Sequence, residues 1–172
     1  MTTEQTRTLE ALRTAIQMEI DGKNFYLRES RSSQNTLGTK LFQSLAAEED
    51  IHRRKFEDIY KALRAKKAWP EVDFVPHGGK ELKTLFATAT ENVKSTDSEL
   101  AAIQTAMEME NKTHDFYREQ AGKALFETEI KYYTILAGEE SAHHEVLLDY
   151  YEYLKNPAQW FTMKERHSLD GG

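Results

Sequence analysis

The 172-residue chain contains no cysteine. Within these residues that absence excludes a disulfide framework, thiolate-bound zinc or iron–sulfur sites and a cysteine nucleophile, and it suits a reducing, intracellular setting. Proline occurs only at Pro70, Pro76 and Pro157, and glycine eight times, too sparsely for a fold of many short strands and turns. Positive charge is also short, with 23 Lys and Arg scattered among 29 Asp and Glu for a net charge of −6. Such a surface offers no footprint for gripping phosphates, so no nucleic-acid partner is expected. No run of eighteen apolar residues occurs, and Met1 to Glu10 lacks the apolar stretch of a signal peptide. No membrane partner is therefore expected, and the expected location is the cytoplasm. A chain of this length can bury a core without staples, which makes any bound metal functional rather than structural.

What the chain does have is helical periodicity. The stretches from about Thr3 to Lys67 and from about Thr96 to Asn156 are free of proline. In the first, Leu9, Leu12, Ile16, Ile20 and Phe25, then Leu41, Leu45, Phe56, Ile59 and Leu63, recur at helical spacing, and the polar run Arg31 to Thr36 separates two helices. Trp69-Pro70, Pro76 and Gly78-Gly79 break helix over residues 68–80, and a shorter helix is expected from Lys80 to about Val93. Thr96-Asp97-Ser98-Glu99 matches a capping box and should start a third long helix running to about Gln120. Gly122 is expected to interrupt, with a fourth helix from about Lys123 to Leu154, ended by Asn156-Pro157. The tail, with Trp160 and Phe161, is expected to pack back on the body, and Gly171-Gly172 to fray.

The two long stretches repeat each other. A shift of 91 residues, without a gap, lays Ala15 to Glu19 over Ala106 to Glu110, Phe25-Tyr26 over Phe116-Tyr117, and Leu45 to His52 over Leu136 to His143. Thirty residues separate Glu19 from Glu49 and Glu110 from Glu140. If each hairpin turns midway, the paired glutamates stand level, roughly 20 Å from the turn. The expected architecture is all-α: a single domain over residues 1–172 with hairpin one at about 4–67, a crossover at 68–95, hairpin two at 96–155 and a tail at 156–172. Two such hairpins make a four-helix bundle with its special residues in one layer.

That layer has the composition of a dimetal site. Glu49-x-x-His52 and Glu140-x-x-His143 each set a carboxylate and an imidazole on one helical face, and Glu19 and Glu110 add a carboxylate from each remaining helix. Four buried carboxylates would be costly alone, whereas two divalent cations balance their charge. Oxygen-rich donors with one imidazole per metal suit iron or manganese better than zinc or copper. One Glu-x-x-His on a charged helix is usually a surface Glu beside a satisfied His; its recurrence at the offset that also duplicates Glu19 and Phe-Tyr makes the metal reading the stronger one. The neighbours diverge, since Asp21, Lys23, Arg53 and Arg54 become Lys112, His114, His144 and Glu145. Tyr26 and Tyr117, seven residues beyond Glu19 and Glu110, are placed to pack or to hydrogen-bond a ligand carboxylate. Glu48 and Glu139 lie about 100° round their helices from the ligands and are either solvated or supporting. His114 is one turn beyond Glu110 and within reach of the pocket, while His77, His144 and His167 are expected at the surface.

In these residues the chain resembles the rubrerythrin branch of the ferritin-like diiron proteins, over about Thr8 to Leu154. Bacterioferritins and ubiquinone-precursor hydroxylases carry a similar set, but the likeness of the halves and the long connection from His52 to Glu110 favour the rubrerythrin branch. The resemblance implies a two-iron, carboxylate-bridged centre, with manganese or a mixed pair as variants. Glu49 and Glu140 would bridge, Glu19 and Glu110 would be terminal, and His52 and His143 would take one metal each. It implies an oxidoreductase reducing hydrogen peroxide or dioxygen, in which the catalytic tyrosines Tyr26 and Tyr117 orient carboxylates or quench radical equivalents. Full-length rubrerythrins carry a four-cysteine rubredoxin domain, so electrons here would come from a separate donor such as a rubredoxin-type protein. The resemblance also implies a homodimer. It departs at Thr113, with Gly22 in the first half, where rubrerythrins have an additional carboxylate after the first Glu of the second hairpin. The same site chemistry would serve a ferroxidase or iron-storage protein, or a diiron hydroxylase.

Overall fold

The computed structural model describes residues 3–65, 68–71, 74–77, 79–91 and 93–169, with the side chains of residues 3, 4 and 166–169 left aside. Six α-helices account for most of them: α1 (Thr3–Ser32), α2 (Thr36–Arg64), α3 (Lys80–Thr84), α4 (Asp97–Lys123), α5 (Glu127–Lys155) and α6 (Pro157–Leu169). There is no strand among the described residues. The helix α1 packs along α2, and α4 along α5, giving two hairpins that assemble as a four-helix bundle. No helix among the described residues is long and apolar enough to cross a membrane.

The turn of the first hairpin falls where the polar run places it. Asn35 caps α2 by accepting a hydrogen bond from the Gly38 amide at 2.7 Å. The second hairpin turns later than expected. Gly122 stays within the last turn of α4, and the break comes at Ala124, which is extended, so α5 begins at Glu127 rather than near Lys123. A Cβ added at Gly122 would meet nothing within 4 Å among the described residues, so no close approach demands a glycine or a break there.

Buried side chains reveal the chain direction of each helix. One apolar core holds Leu12 and Ala15 of α1, Phe56 and Ile59 of α2, Tyr117 of α4, and Tyr132 to Ala137 of α5. The other holds Phe25 and Tyr26, Leu37 to Ala46, Ile103 and Ala106, and Val146 to Leu154. The helices α1 and α5 therefore run from the first core to the second, and α2 and α4 run the opposite way. A connection from α2 to α4 must return along the whole bundle, which explains the length of the crossover. On its way it contributes Trp69 and Phe74 to the first core and Leu82 and Phe86 to the second. The buried residues of α1 are Leu9, Leu12, Ala15, Glu19, Gly22, Phe25, Tyr26 and Ser30, while Ile16 and Ile20 are only half-buried.

The helix expected from Lys80 to Val93 is shorter, ending at Thr84 with a 3-10 turn over Leu85–Thr88. Beyond it Ala89 is extended, and Thr90 both donates to and accepts from the Tyr153 hydroxyl, at 3.1 and 2.8 Å. These two bonds draw the backbone onto α5 and end its helical course. Gly79 adopts φ +65°, and a Cβ there would lie 3.2 Å from Val146 and 3.4 Å from Ala142, so the crossover lies tightly on α5. Gly78, Gly171 and Gly172 lie outside the described residues. The tail is a 13-residue helix with Pro157 at its first position. Trp160 stacks on Phe86 at 5.5 Å and donates to Asp149 at 2.8 Å, which fixes α6 against the body.

Candidate metal centre

Between the two apolar cores lies a single polar layer. Glu19 comes from α1, Glu49 and His52 from α2, Glu110 from α4, and Glu140 and His143 from α5. All six are at most 3 % exposed. Each contributes one buried atom with no hydrogen-bond partner among the described residues: Glu19 Oε2, Glu49 Oε1, His52 Nδ1, Glu110 Oε2, Glu140 Oε1 and His143 Nδ1. An unpartnered buried polar atom costs about 1–3 kcal/mol, so six converging on one place call for an occupant. Two sets of donors, each with its ligand atoms within 4.8 Å of one another, could hold a metal ion: Glu19, Glu49, His52 and Glu140, and Glu49, Glu110, Glu140 and His143. Glu49 and Glu140 belong to both. The four carboxylates and one imidazole per set fit hard or borderline divalent cations such as iron or manganese.

The arrangement is close to a twofold. His52 Nδ1 lies 3.6 Å from Glu19 and 3.5 Å from Glu140, and His143 Nδ1 lies 3.5 Å from Glu110 and 3.2 Å from Glu49. The two imidazoles are nearly parallel, with centroids 5.9 Å apart. The tyrosines support the layer crosswise. Tyr26 donates to Glu110 Oε1 and Tyr117 donates to Glu19 Oε1, so each phenol holds the carboxylate of the opposite hairpin. In both glutamates one oxygen is thereby fixed and the other is left for the layer.

Electrostatics gives the same picture. Burial, reinforced by repulsion among the carboxylates, pushes Glu49 and Glu140 well above the usual range. Burial raises Glu19 to about 6 despite hydrogen bonds from its neighbours. Burial opposes a charged His143, yet the Glu110 charge and the close approach of the Glu110, Glu48 and Glu49 carboxylates outweigh it and raise His143 well above its ordinary value. In His52 burial prevails and the value falls. Glu110 goes the other way: burial opposes its charge, yet the facing His143 and the hydrogen bond from Tyr26 hold it below its ordinary value. Tyr26 and Tyr117, raised by burial and by the adjacent carboxylates, remain protonated donors.

Residues around the layer resolve several open readings. Glu48 accepts from His143 Nε2 at 2.7 Å, which turns Nδ1 toward the layer. Glu139 is 2 % exposed and accepts from the His77 amide at 3.1 Å, tying the crossover to α5. Neither glutamate is merely solvated, and the repeat at 91 residues was the signal that could single them out. Phe74 of the crossover packs 5.7 Å from the His52 ring and covers that side. His114 does not enter the pocket: it is half-buried and its Nδ1 meets Asp115 at 3.0 Å. The His77 side chain is exposed, His144 is half-buried rather than at the surface, and the His167 side chain lies outside those described. Thr113 donates its hydroxyl to Met109 O at 3.1 Å, and a Cβ on Gly22 would sit 3.6 Å from the Glu49 carboxylate.

A family model described as Rubrerythrin matches residues 10–162. The chain belongs to the rubrerythrin family. The match spans both hairpins and all six buried donors, and it makes the chain a ferritin-like protein with an oxidoreductase type of fold and site. No curated protein and no solved structure matches the chain. With no cysteine, these 172 residues hold no four-cysteine rubredoxin site.

Proposed function

We propose that this rubrerythrin-family chain is a non-haem diiron oxidoreductase that reduces hydrogen peroxide, or dioxygen, with electrons from a separate donor. The observation that carries the reading is the pair of donor sets with Glu49 and Glu140 in common. In this reading Glu49 and Glu140 would serve both iron positions, with Glu19 and His52 completing one and Glu110 and His143 the other. When bound, two adjacent iron ions supply the two electrons that cleavage of an O–O bond requires.

The chain's own residues set the conditions for that chemistry. Tyr117 and Tyr26 hold Glu19 and Glu110 by one oxygen each, so the second oxygen can shift without loss of register. Glu48 keeps the proton on His143 Nε2 and so keeps Nδ1 available as a donor. The apolar cores above and below exclude bulk water from the layer. The reading includes a cytoplasmic setting, a rubredoxin-type electron donor and a homodimeric assembly.

A ferroxidase reading draws on Thr113 and Gly22, which put no carboxylate one turn beyond Glu110 or Glu19. Stopped-flow spectroscopy on anaerobically iron-loaded protein separates the two. Oxidation by peroxide much faster than by air, reversed repeatedly by a reductant, is the expected result. Faster oxidation by air, with iron accumulating far beyond the two donor sets, would replace the peroxidase reading with the ferroxidase one.

A further inference from the structure

The first apolar core contains polar atoms that packing does not require. Tyr117, whose hydroxyl is bonded to Glu19, has its ring centroid 6.0 Å from that of Tyr133, and Tyr133 lies 6.1 Å from Trp69 in the crossover. Trp69 is half-buried, so the series leads from the polar layer toward solvent. The Tyr133 hydroxyl and Trp69 Nε1 are buried with no hydrogen-bond partner among the described residues. Such groups reduce stability unless bonded, and the repeat supplies an internal control. The position 91 residues before Tyr133 is Phe42, which packs on Tyr26 with centroids 6.1 Å apart, much as Tyr133 packs on Tyr117. A phenylalanine therefore fills the same place in the other half, and the hydroxyl of Tyr133 adds nothing to the packing.

We infer that Tyr117, Tyr133 and Trp69 form a one-electron route between the metal layer and the crossover. The inference rests on the proposed oxidase or peroxidase chemistry for its oxidant. When the site supplies only one of the two electrons that reduction of hydrogen peroxide to water requires, Tyr117 supplies the other. Its O–H bond breaks, the electron goes to the oxidant and the proton to Glu19 Oε1. Trp69 then returns an electron through Tyr133, and Tyr117 recovers its proton from Glu19. This return runs uphill and is drawn forward as Trp69, left one electron short, is restored by a small diffusible reductant of the thiol or ascorbate class. Tyr133 is a relay and not a resting place, because its hydroxyl has no acceptor to take a proton. The other half has no equivalent short route: from Tyr26 the path crosses Phe42, Tyr150 and Tyr153 before reaching Trp160, whose ring lies under the Lys164 ammonium at 5.2 Å. A cation there disfavours loss of an electron from the indole.

Pulse radiolysis of the full-length protein with azide radicals, which oxidise tryptophan, runs the same path in reverse and needs neither peroxide nor iron. With Trp160→Phe, Trp69 is the sole tryptophan. The tryptophanyl absorption should decay as the tyrosyl absorption rises, at a first-order rate independent of protein concentration. Adding Tyr117→Phe should abolish the tyrosyl rise and prolong the tryptophanyl radical, whereas adding Tyr26→Phe, which removes the mate hydroxyl, should leave the conversion unchanged. Absence of conversion in Trp160→Phe, or conversion that survives Tyr117→Phe, would overturn the route and leave the metal reading untouched. Conversely, failure of the protein to bind iron would remove the oxidant and leave the radiolysis result standing.

Discussion

The two apolar cores on either side of the ligand layer are built on the same repeated hairpin, yet they treat their polar atoms in opposite ways. In the core containing Tyr26 every buried phenol is bonded: Tyr26 to Glu110, Tyr150 to Glu99 and Asn35, and Tyr153 to Thr90. In the core containing Tyr117 only that tyrosine is bonded, while Tyr132, Tyr133 and Trp69 have no partner among the described residues. The layer between the cores is nearly symmetric. The repeat thus holds the layer residues at matching positions while its flanks differ, one a hydrogen-bonded network and the other a cluster of electron-rich rings.

The largest effect is expected in the symmetric layer. Glu49→Gln removes a donor common to both sets and should eliminate stoichiometric metal binding, whereas Glu19→Gln should weaken one set only. A metal at a hundredfold excess over its Kd stabilises the fold by about 2.7 kcal/mol. Thermal unfolding of Glu49→Gln should therefore lose its response to added divalent metal.

Next comes the bonded flank. Gly38 lies against the Tyr150 hydroxyl, Ser33 Oγ and Glu99 Oε1, and a Cβ there has no room. Gly38→Ala should destabilise by about 1–3 kcal/mol through overpacking and lost bonds, measured by urea unfolding. A matched pair of substitutions then sharpens the contrast between the cores. Tyr150→Phe deprives Glu99 and Asn35 of a partner and should destabilise by about 1 kcal/mol, whereas Tyr133→Phe removes an unbonded hydroxyl and should be neutral or stabilising. Equal losses in both would show that the flanks do not differ as described.

The smallest effect is a pH trend in metal-free protein. Glu19, Glu49, Glu140 and His143 are raised in the folded state, so their contribution is fully present below their unfolded values. It is lost as pH rises through about 6 and beyond, the value of Glu19 marking the start. Asp50, held at about 2 by Lys23 and Arg53, acts oppositely: its contribution is present above the ordinary value of 3.8 and lost as pH falls through about 2. Glu110 and His52, lowered in the folded state, act in the same sense as Asp50 and offset part of the trend. With four raised groups against these two in the layer, melting temperature should still decline from mildly acidic to alkaline pH without metal, and added divalent metal should suppress the decline.

The layer was legible in the sequence because a gapless offset places Glu19, Glu49, His52 and their mates at one height, and helix geometry does the rest. The four long helices followed from apolar spacing and the absence of proline. Other features depend on tertiary partners that spacing does not reveal. Seven residues put Tyr26 on the face of Glu19, but the phenol crosses to Glu110 because the hairpins interlock. Thr96 caps α4 as its motif indicates, while Glu99 turns away from the capping box to take donors from Ser33, Asn35 and Tyr150. The helix after Gly79 stops early because Thr90 finds Tyr153. Trp69 gave no periodic signal, since it lies in the crossover and meets its partners only once that segment folds back on α5.

The six buried donors are expected to act as two sets with Glu49 and Glu140 in common. Anaerobic titration of the full-length protein with ferrous iron, with bound iron counted per chain, tests it most directly. Two irons per chain, falling to none with Glu49→Gln and to about one with Glu19→Gln, is the outcome expected from the two overlapping sets. No stoichiometric binding, or an unchanged count in Glu49→Gln, would contradict it.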